Sequence, residues 1–159
     1  MINYFEIFLF PTSFKLDEIA LEKKYLEFQK TFHPDNSSSG DALKAIEINE
    51  AYKILSDDFL RICHLLQLSG IDILNDEKAV KIDFLTLEEQ LELQEKISEI
   101  ENKEEIAQLQ KQLKLAAKEL IASAVKLFES NDLVACAQKL IKCKYLKKSL
   151  EDLKLKKQK

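Results

Sequence analysis

Only two prolines occur in the 159 residues, Pro11 and Pro34, and both fall in the first quarter of the chain. Everything after Pro34 lacks the strongest helix breaker. Glycine is just as scarce, with two residues. Such a chain can be built from long helices, and the reading is all-α. With 46% hydrophobic and 33% charged residues there is enough apolar matter for a packed core, and disorder is not expected.

The helices follow from apolar spacing. Pro11 stops a short first helix over Tyr4 to Leu9. Asp17 is placed to cap the second, in which Leu21, Tyr25, Phe28 and Phe32 form one apolar face. That helix ends at His33-Pro34-Asp35, because the residue before a proline is pushed out of the α region. Asn36 to Gly40 reads as a loop. A third helix over Asp41 to Leu55 carries Ile48, Ala51, Tyr52 and Leu55 on one side. Ser56-Asp57 is a turn and cap signal, and a fourth helix over Asp58 to Leu68 ends at Ser69-Gly70. Residues 71–82 read as a connector.

Three long helical patterns follow, over 83–101, 104–129 and 132–155. In the second, Ile106, Leu109, Leu113, Ala116 and Leu120 keep the repeat, and in the third Leu133, Cys136, Leu140 and Cys143 do so. The links at Asn102-Lys103 and Ser130-Asn131 are short, which makes neighbours antiparallel. The first of these helices is rich in Glu and the last in Lys, so they attract side by side. The domain reading is therefore 1–70, the connector 71–82, and a three-helix bundle 83–159.

Several function classes drop out. A net charge of −4 argues against nucleic acid as a partner. No stretch is long and apolar enough to span a bilayer, and the N-terminus does not read as a signal peptide. Cys63, Cys136 and Cys143 are odd in number with no paired spacing, which points away from disulfides or zinc and towards a reducing cytoplasm. Cys136 and Cys143 read as buried small hydrophobes, and His64 as a surface or satisfied core histidine. With no P-loop and no metal-ligand cluster, the chain is expected to bind neither nucleotide nor metal, to need no cofactor and to be no enzyme.

His33-Pro34-Asp35 joins two amphipathic helices, Tyr25 stands eight residues upstream, and Ile48-Asn49-Glu50-Ala51-Tyr52-Lys53-Ile54-Leu55-Ser56-Asp57 follows. Together these resemble the J-domain family, in which such a tripeptide joins an antiparallel helical hairpin and contacts a chaperone ATPase. Pro34 stiffens the backbone, and Asp35 is a suitable acceptor for a partner arginine. The resemblance implies chaperone binding by His33, Pro34 and Asp35, helped by the basic residues Lys23, Lys24 and Lys30 on the preceding helix.

Tyr4-Phe5-Glu6-Ile7-Phe8, Arg61-Ile62-Cys63-His64-Leu65-Leu66 and Glu89-Gln90-Leu91-Glu92-Leu93 resemble the HscB branch of J-proteins over nearly the whole chain. That resemblance implies a co-chaperone that stimulates a DnaK/HscA-like ATPase and delivers to it the IscU-type scaffold on which iron–sulfur clusters are built. Its scaffold-binding residues map onto Leu87, Leu91, Glu92, Glu95, Glu99 and Tyr145.

Helical geometry gives an independent view of the same helix. Leu93, Ile97 and Ile100 make one narrow seam, while Phe84, Leu87 and Leu91 fall on the far side with Glu88, Glu95 and Glu99. Apolar residues set in acids, away from the core, suit a binding face. Phe84, nearest the connector, is instead expected to pack on the N-terminal domain or a neighbouring helix. Tyr145 lies off the core stripe of its helix and should be at least partly exposed. Three other readings compete. One is a J-protein recruiting a different client to a general DnaK-type chaperone. Another is a small hydrolase using His33 and Asp35, which lacks an evident nucleophile and pocket. The last is a purely structural helical protein, which leaves the His33-Pro34-Asp35 loop without a purpose.

Overall fold

The structure is a computed structural model and describes residues 1–32, 39–76 and 78–159. Among these residues there are seven helices and no strand: α1 Tyr4–Ile7, α2 Glu18–Thr31, α3 Ser39–Leu55, α4 Asp58–Leu68, α5 Phe84–Glu99, α6 Lys103–Glu129 and α7 Leu133–Lys157. The all-α reading is correct, and most helix ends fall within two residues of their expected positions. His33, Pro34 and Asp35 and the loop expected from Asn36 lie outside the described residues up to Ser38. The chain divides into two compact units, Met1–Gly70 and Ile71–Lys159.

In the first unit α3 is the central element and touches α1, α2 and α4. Asp17 caps α2 by accepting a hydrogen bond from the Ala20 amide at 3.0 Å, and Asp57 caps α4 through the Leu60 amide at 2.8 Å. Each cap satisfies an amide that the helix itself leaves unpaired. Phe5, Phe8, Leu21, Ile48, Ala51, Leu55, Ile62 and Leu66 close the core. Helix α4 is buried from Phe59 to Leu66 except for half-buried Leu60, so its two basic side chains, Arg61 and His64, are forced inward. Gly70 ends this helix at φ +102°, a conformation that L side chains rarely adopt.

In the second unit α7 packs along both α5 and α6. Ile97, Ile100, Ile106, Leu109, Leu113 and Leu153 form one core, with Leu93, Leu146 and Leu150 half-buried against it. Small residues line the other end of the α6–α7 seam: Ala117, Ala124, Cys136, Ala137 and Cys143 are buried. The Cys143 thiol lies 3.7 Å from the Ala117 carbonyl. The α6 stripe runs through Ala117 rather than the expected Ala116, which is half-buried, as are Leu120 and Leu133. A straight helix turns in 3.6-residue steps, so the buried row drifts by a residue over this length. Burial, with the nearby Asp132 charge, pushes the Cys136 thiol up to about 11, so it packs as a neutral hydrophobe.

The segment 71–82 is built into this second unit. Ile73 and Val80 are buried, the Asp72 carboxylate accepts from the Leu74 and Asn75 amides, and the Gln138 amide donates to the Lys81 carbonyl at 3.4 Å. No helix among the described residues is long and apolar enough to cross a membrane.

Candidate binding surfaces

The first surface lies on the α2–α3 hairpin. The rings of Tyr25 and Tyr52 stack with centroids 3.9 Å apart and planes 7° from parallel. The Tyr25 hydroxyl donates to Asn49 Oδ1 at 2.8 Å and accepts from Gln29 Nε2 at 2.7 Å. Asn49 and Tyr52 of the Ile48–Asp57 motif, with Tyr25 and Gln29 of α2, are thus one clamp across the hairpin. The clamp fixes the two helices whose ends bracket His33, Pro34 and Asp35. Lys23 and Lys30 are exposed, seven residues apart on α2, and so share one face.

Lys24 behaves differently. Its ammonium donates to the Phe8 carbonyl at 2.7 Å and sits 4.4 Å from the centre of the Phe10 ring. It lies three residues after Leu21 and four before Phe28, on the edge of the buried face. Its charge ties the end of α1 to α2, and it is less available to a partner than its neighbours.

Arg61 and His64 hold this unit together from within; the sequence reading offered a satisfied core histidine as one of two readings of His64 and gave Arg61 no role. Arg61 is 4% exposed. It donates from Nε to the Phe14 carbonyl (2.8 Å), from one terminal nitrogen to the Leu55 carbonyl (2.7 Å) and from the other to Asp58 (2.8 Å). Its guanidinium also covers the Phe14 ring. His64 is the satisfied core histidine: its Nε2 accepts the Tyr4 amide proton at 3.2 Å, and its Nδ1 faces Gln67 Oε1 at 3.3 Å. The tautomer follows, with the proton on Nδ1. Burial lowers the pKa of this ring below 6.5, against a smaller upward pull from Gln67. The sequence signal for both was available: a helix apolar on all sides is buried on all sides.

The second surface is on α5. Gln90 and Gln94 both donate to the buried Ser149 hydroxyl on α7, at 3.2 and 3.0 Å. Glu89 pairs with Lys142 at 3.0 Å, and Lys156 donates to the Ile97 and Ser98 carbonyls at the end of α5. Positions rise together along the two helices, so α5 and α7 run parallel, each antiparallel to α6. The expected Glu–Lys attraction includes the Glu89–Lys142 ion pair and a lysine at the negative end of the helix.

These contacts fix which side of α5 faces out. Gln90, Leu93, Gln94 and Ile97 point at α7. Leu87 lies at the edge of that seam and is 44% exposed, whereas Leu91, further round, is 71% exposed. Glu92, Glu95 and Glu99 are exposed beside them, and so is Glu88. Phe84 is 78% exposed and does not pack as expected; its helical angle carries it past Leu91. Phe84 therefore extends the apolar strip by a turn at the N-terminal end of α5, while Leu85, also exposed, lies on the side of Glu92. Tyr145 is half-buried one turn before Ser149, level with the first turns of α5, and lines a crevice with Ile73, Ile82, Ile141 and Lys144.

Comparison with known proteins covers both units of the chain. Residues 83–154 match the family model described as the HSCB C-terminal oligomerisation domain. The chain is 31% identical to the co-chaperone protein HscB homolog of Haemophilus influenzae, over 96% of this chain and 94% of that one. In three dimensions it is similar to the chaperone HscB from Vibrio cholerae, with a TM-score of 0.82 and 27% identity over 97% of this chain and 96% of that one. The human co-chaperone protein HscB gives a TM-score of 0.87 and 28% identity, over 99% of this chain and 83% of that one. A J-domain hairpin followed by a C-terminal helical bundle, matched along almost its full length, places this chain in the HscB family of co-chaperones.

Proposed function

We propose that this protein stimulates the ATPase of a DnaK/HscA-like chaperone and delivers to it an IscU-type iron–sulfur scaffold, promoting transfer of the cluster to recipient proteins. His33, Pro34 and Asp35 engage the chaperone, with Lys23 and Lys30 supplying positive charge along α2 and Lys24 holding that face in place. Leu87, Leu91, Glu92, Glu95, Glu99 and Tyr145 receive the scaffold. The protein acts as an adaptor rather than an enzyme, and reducing conditions such as those of the cytoplasm suit its three buried thiols.

The observation that carries this reading is Leu91, 71% exposed on a helix whose other side is fixed by buried contacts. Exposed leucine contributes little to the free protein, and burial under a partner is worth roughly 1.5–3 kcal/mol. Carboxylates around it suit a partner with basic side chains at the rim. Capture of the intact chain from extract of its own cells, followed by identification of what is retained, tests the proposal. Recovery of a DnaK-type chaperone with an iron–sulfur scaffold is expected; the chaperone with an unrelated client would favour the alternative co-chaperone role.

A further inference from the structure

A second charged surface lies on the bundle, away from the α5 face. Between α6 and α7 runs a groove lined by Gln110, Lys114, Lys147, Lys148, Glu151, Lys154 and Lys157, with Leu150 at its base. Five ammonium groups meet one carboxylate there. Among the described residues, Lys114, Lys148, Lys154 and Lys157 have no carboxylate within salt-bridge distance. The residues of α7 that hold α5 (Lys142, Ser149, Lys156) are others, so a partner on α5 leaves this groove open.

We propose that this groove docks an acidic, amphipathic helical segment of a partner protein. Charge complementarity sets the sign of the occupant: unpaired lysines on both walls repel one another until an anion lies between them. Two features favour a polypeptide over a polyphosphate. Glu151 stands among the lysines and would oppose a uniformly charged backbone, whereas a peptide can place a neutral residue opposite it. Half-buried Leu150 and the lysine stems give the groove an apolar floor, which an apolar edge of a helix can cover.

The test uses the full chain and a fluorescent helix-forming peptide with Glu on one face and Leu along one edge. A scrambled peptide of the same composition, a single-stranded oligonucleotide and phosphatidylserine vesicles are run in parallel. Binding of the designed peptide roughly tenfold tighter than the scrambled one is expected, and it should weaken at least tenfold in Lys114→Glu/Lys154→Glu. Lys114→Arg/Lys154→Arg should retain it, and so should Leu91→Ala. Equal binding of both peptides, tighter binding of the oligonucleotide or vesicles, or indifference to charge reversal would overturn the proposal. So would a mass that rises with concentration and falls to the monomer in the charge-reversed variant, because the occupant would then be a second copy. Thermal melts of each variant establish that it is folded, and amide shifts confined to the α6–α7 groove on peptide addition would support the site.

Discussion

Replacing Arg61 with Leu keeps most of its bulk but strands the carbonyls of Phe14 and Leu55, both of which it now satisfies. Each buried acceptor left without a partner costs about 1–3 kcal/mol, so a loss of roughly 3 kcal/mol in denaturant unfolding is expected. A loss below about 0.5 kcal/mol would show that the bonds are dispensable. His64 makes a pH prediction. The unfolded chain takes up a proton near the ordinary histidine value, whereas the folded ring, held below 6.5, takes it up only at lower pH. Folding stability is therefore full above pH 6.5 and declines as pH falls through the folded value. In His64→Gln this component of the decline should vanish when unfolding midpoints are compared at about pH 7.5 and about pH 5.5. An unchanged pH slope would place the titration elsewhere. The burial of both was legible from the apolar residues around them on α4, but their hydrogen-bond partners, Phe14, Leu55 and Tyr4, lie on other elements and were not. Helical periodicity reports which residues are apolar, and Arg61 and His64 are buried because everything around them on α4 is.

At the scale of an element, α5 has two faces with opposite sensitivities. Ile97 is 5% exposed in the bundle core, and Ile97→Ala should destabilise the protein by about 2–5 kcal/mol through the cavity it leaves. Leu87→Ala with Leu91→Ala should barely move the melting temperature while weakening scaffold binding tenfold or more. Calorimetric titration beside thermal melts separates the two outcomes; normal binding with an early melt would mean that the leucines serve the fold. Glu92→Lys and Glu95→Lys, at the exposed rim, should slow association and change its salt dependence. That Leu91 is exposed and Ile97 buried was legible because the 3.6-residue period sets Leu91 well apart from Leu93 and Ile97. It placed Phe84 wrongly because proximity in the chain to the connector says nothing about helical angle. The Gln90 and Gln94 bonds to Ser149 were invisible for a related reason: polar residues give no periodic signal when they turn inward to meet a hydroxyl.

At the scale of the whole molecule, the division at Gly70 separates two cores, each with its own set of buried residues. Residues 1–70 alone should fold as a helical unit and retain weak stimulation of the chaperone without the scaffold. A fragment without cooperative unfolding would contradict the independence of the two units. The architecture was readable from the chain because prolines and glycines are so few that each one marks a boundary, and because Asp17, Asp57 and Gly70 stand where helices need them. The central claim is that this chain couples a scaffold protein to a chaperone ATPase through the His33-Pro34-Asp35 loop. The most direct measurement is the single-turnover ATP hydrolysis rate of the partner chaperone with the full chain, with and without scaffold, in wild type and Asp35→Asn. The account predicts that wild type accelerates hydrolysis, that scaffold adds to the acceleration, and that Asp35→Asn loses both while keeping wild-type helicity and scaffold affinity. Full stimulation by a folded Asp35→Asn protein would contradict it.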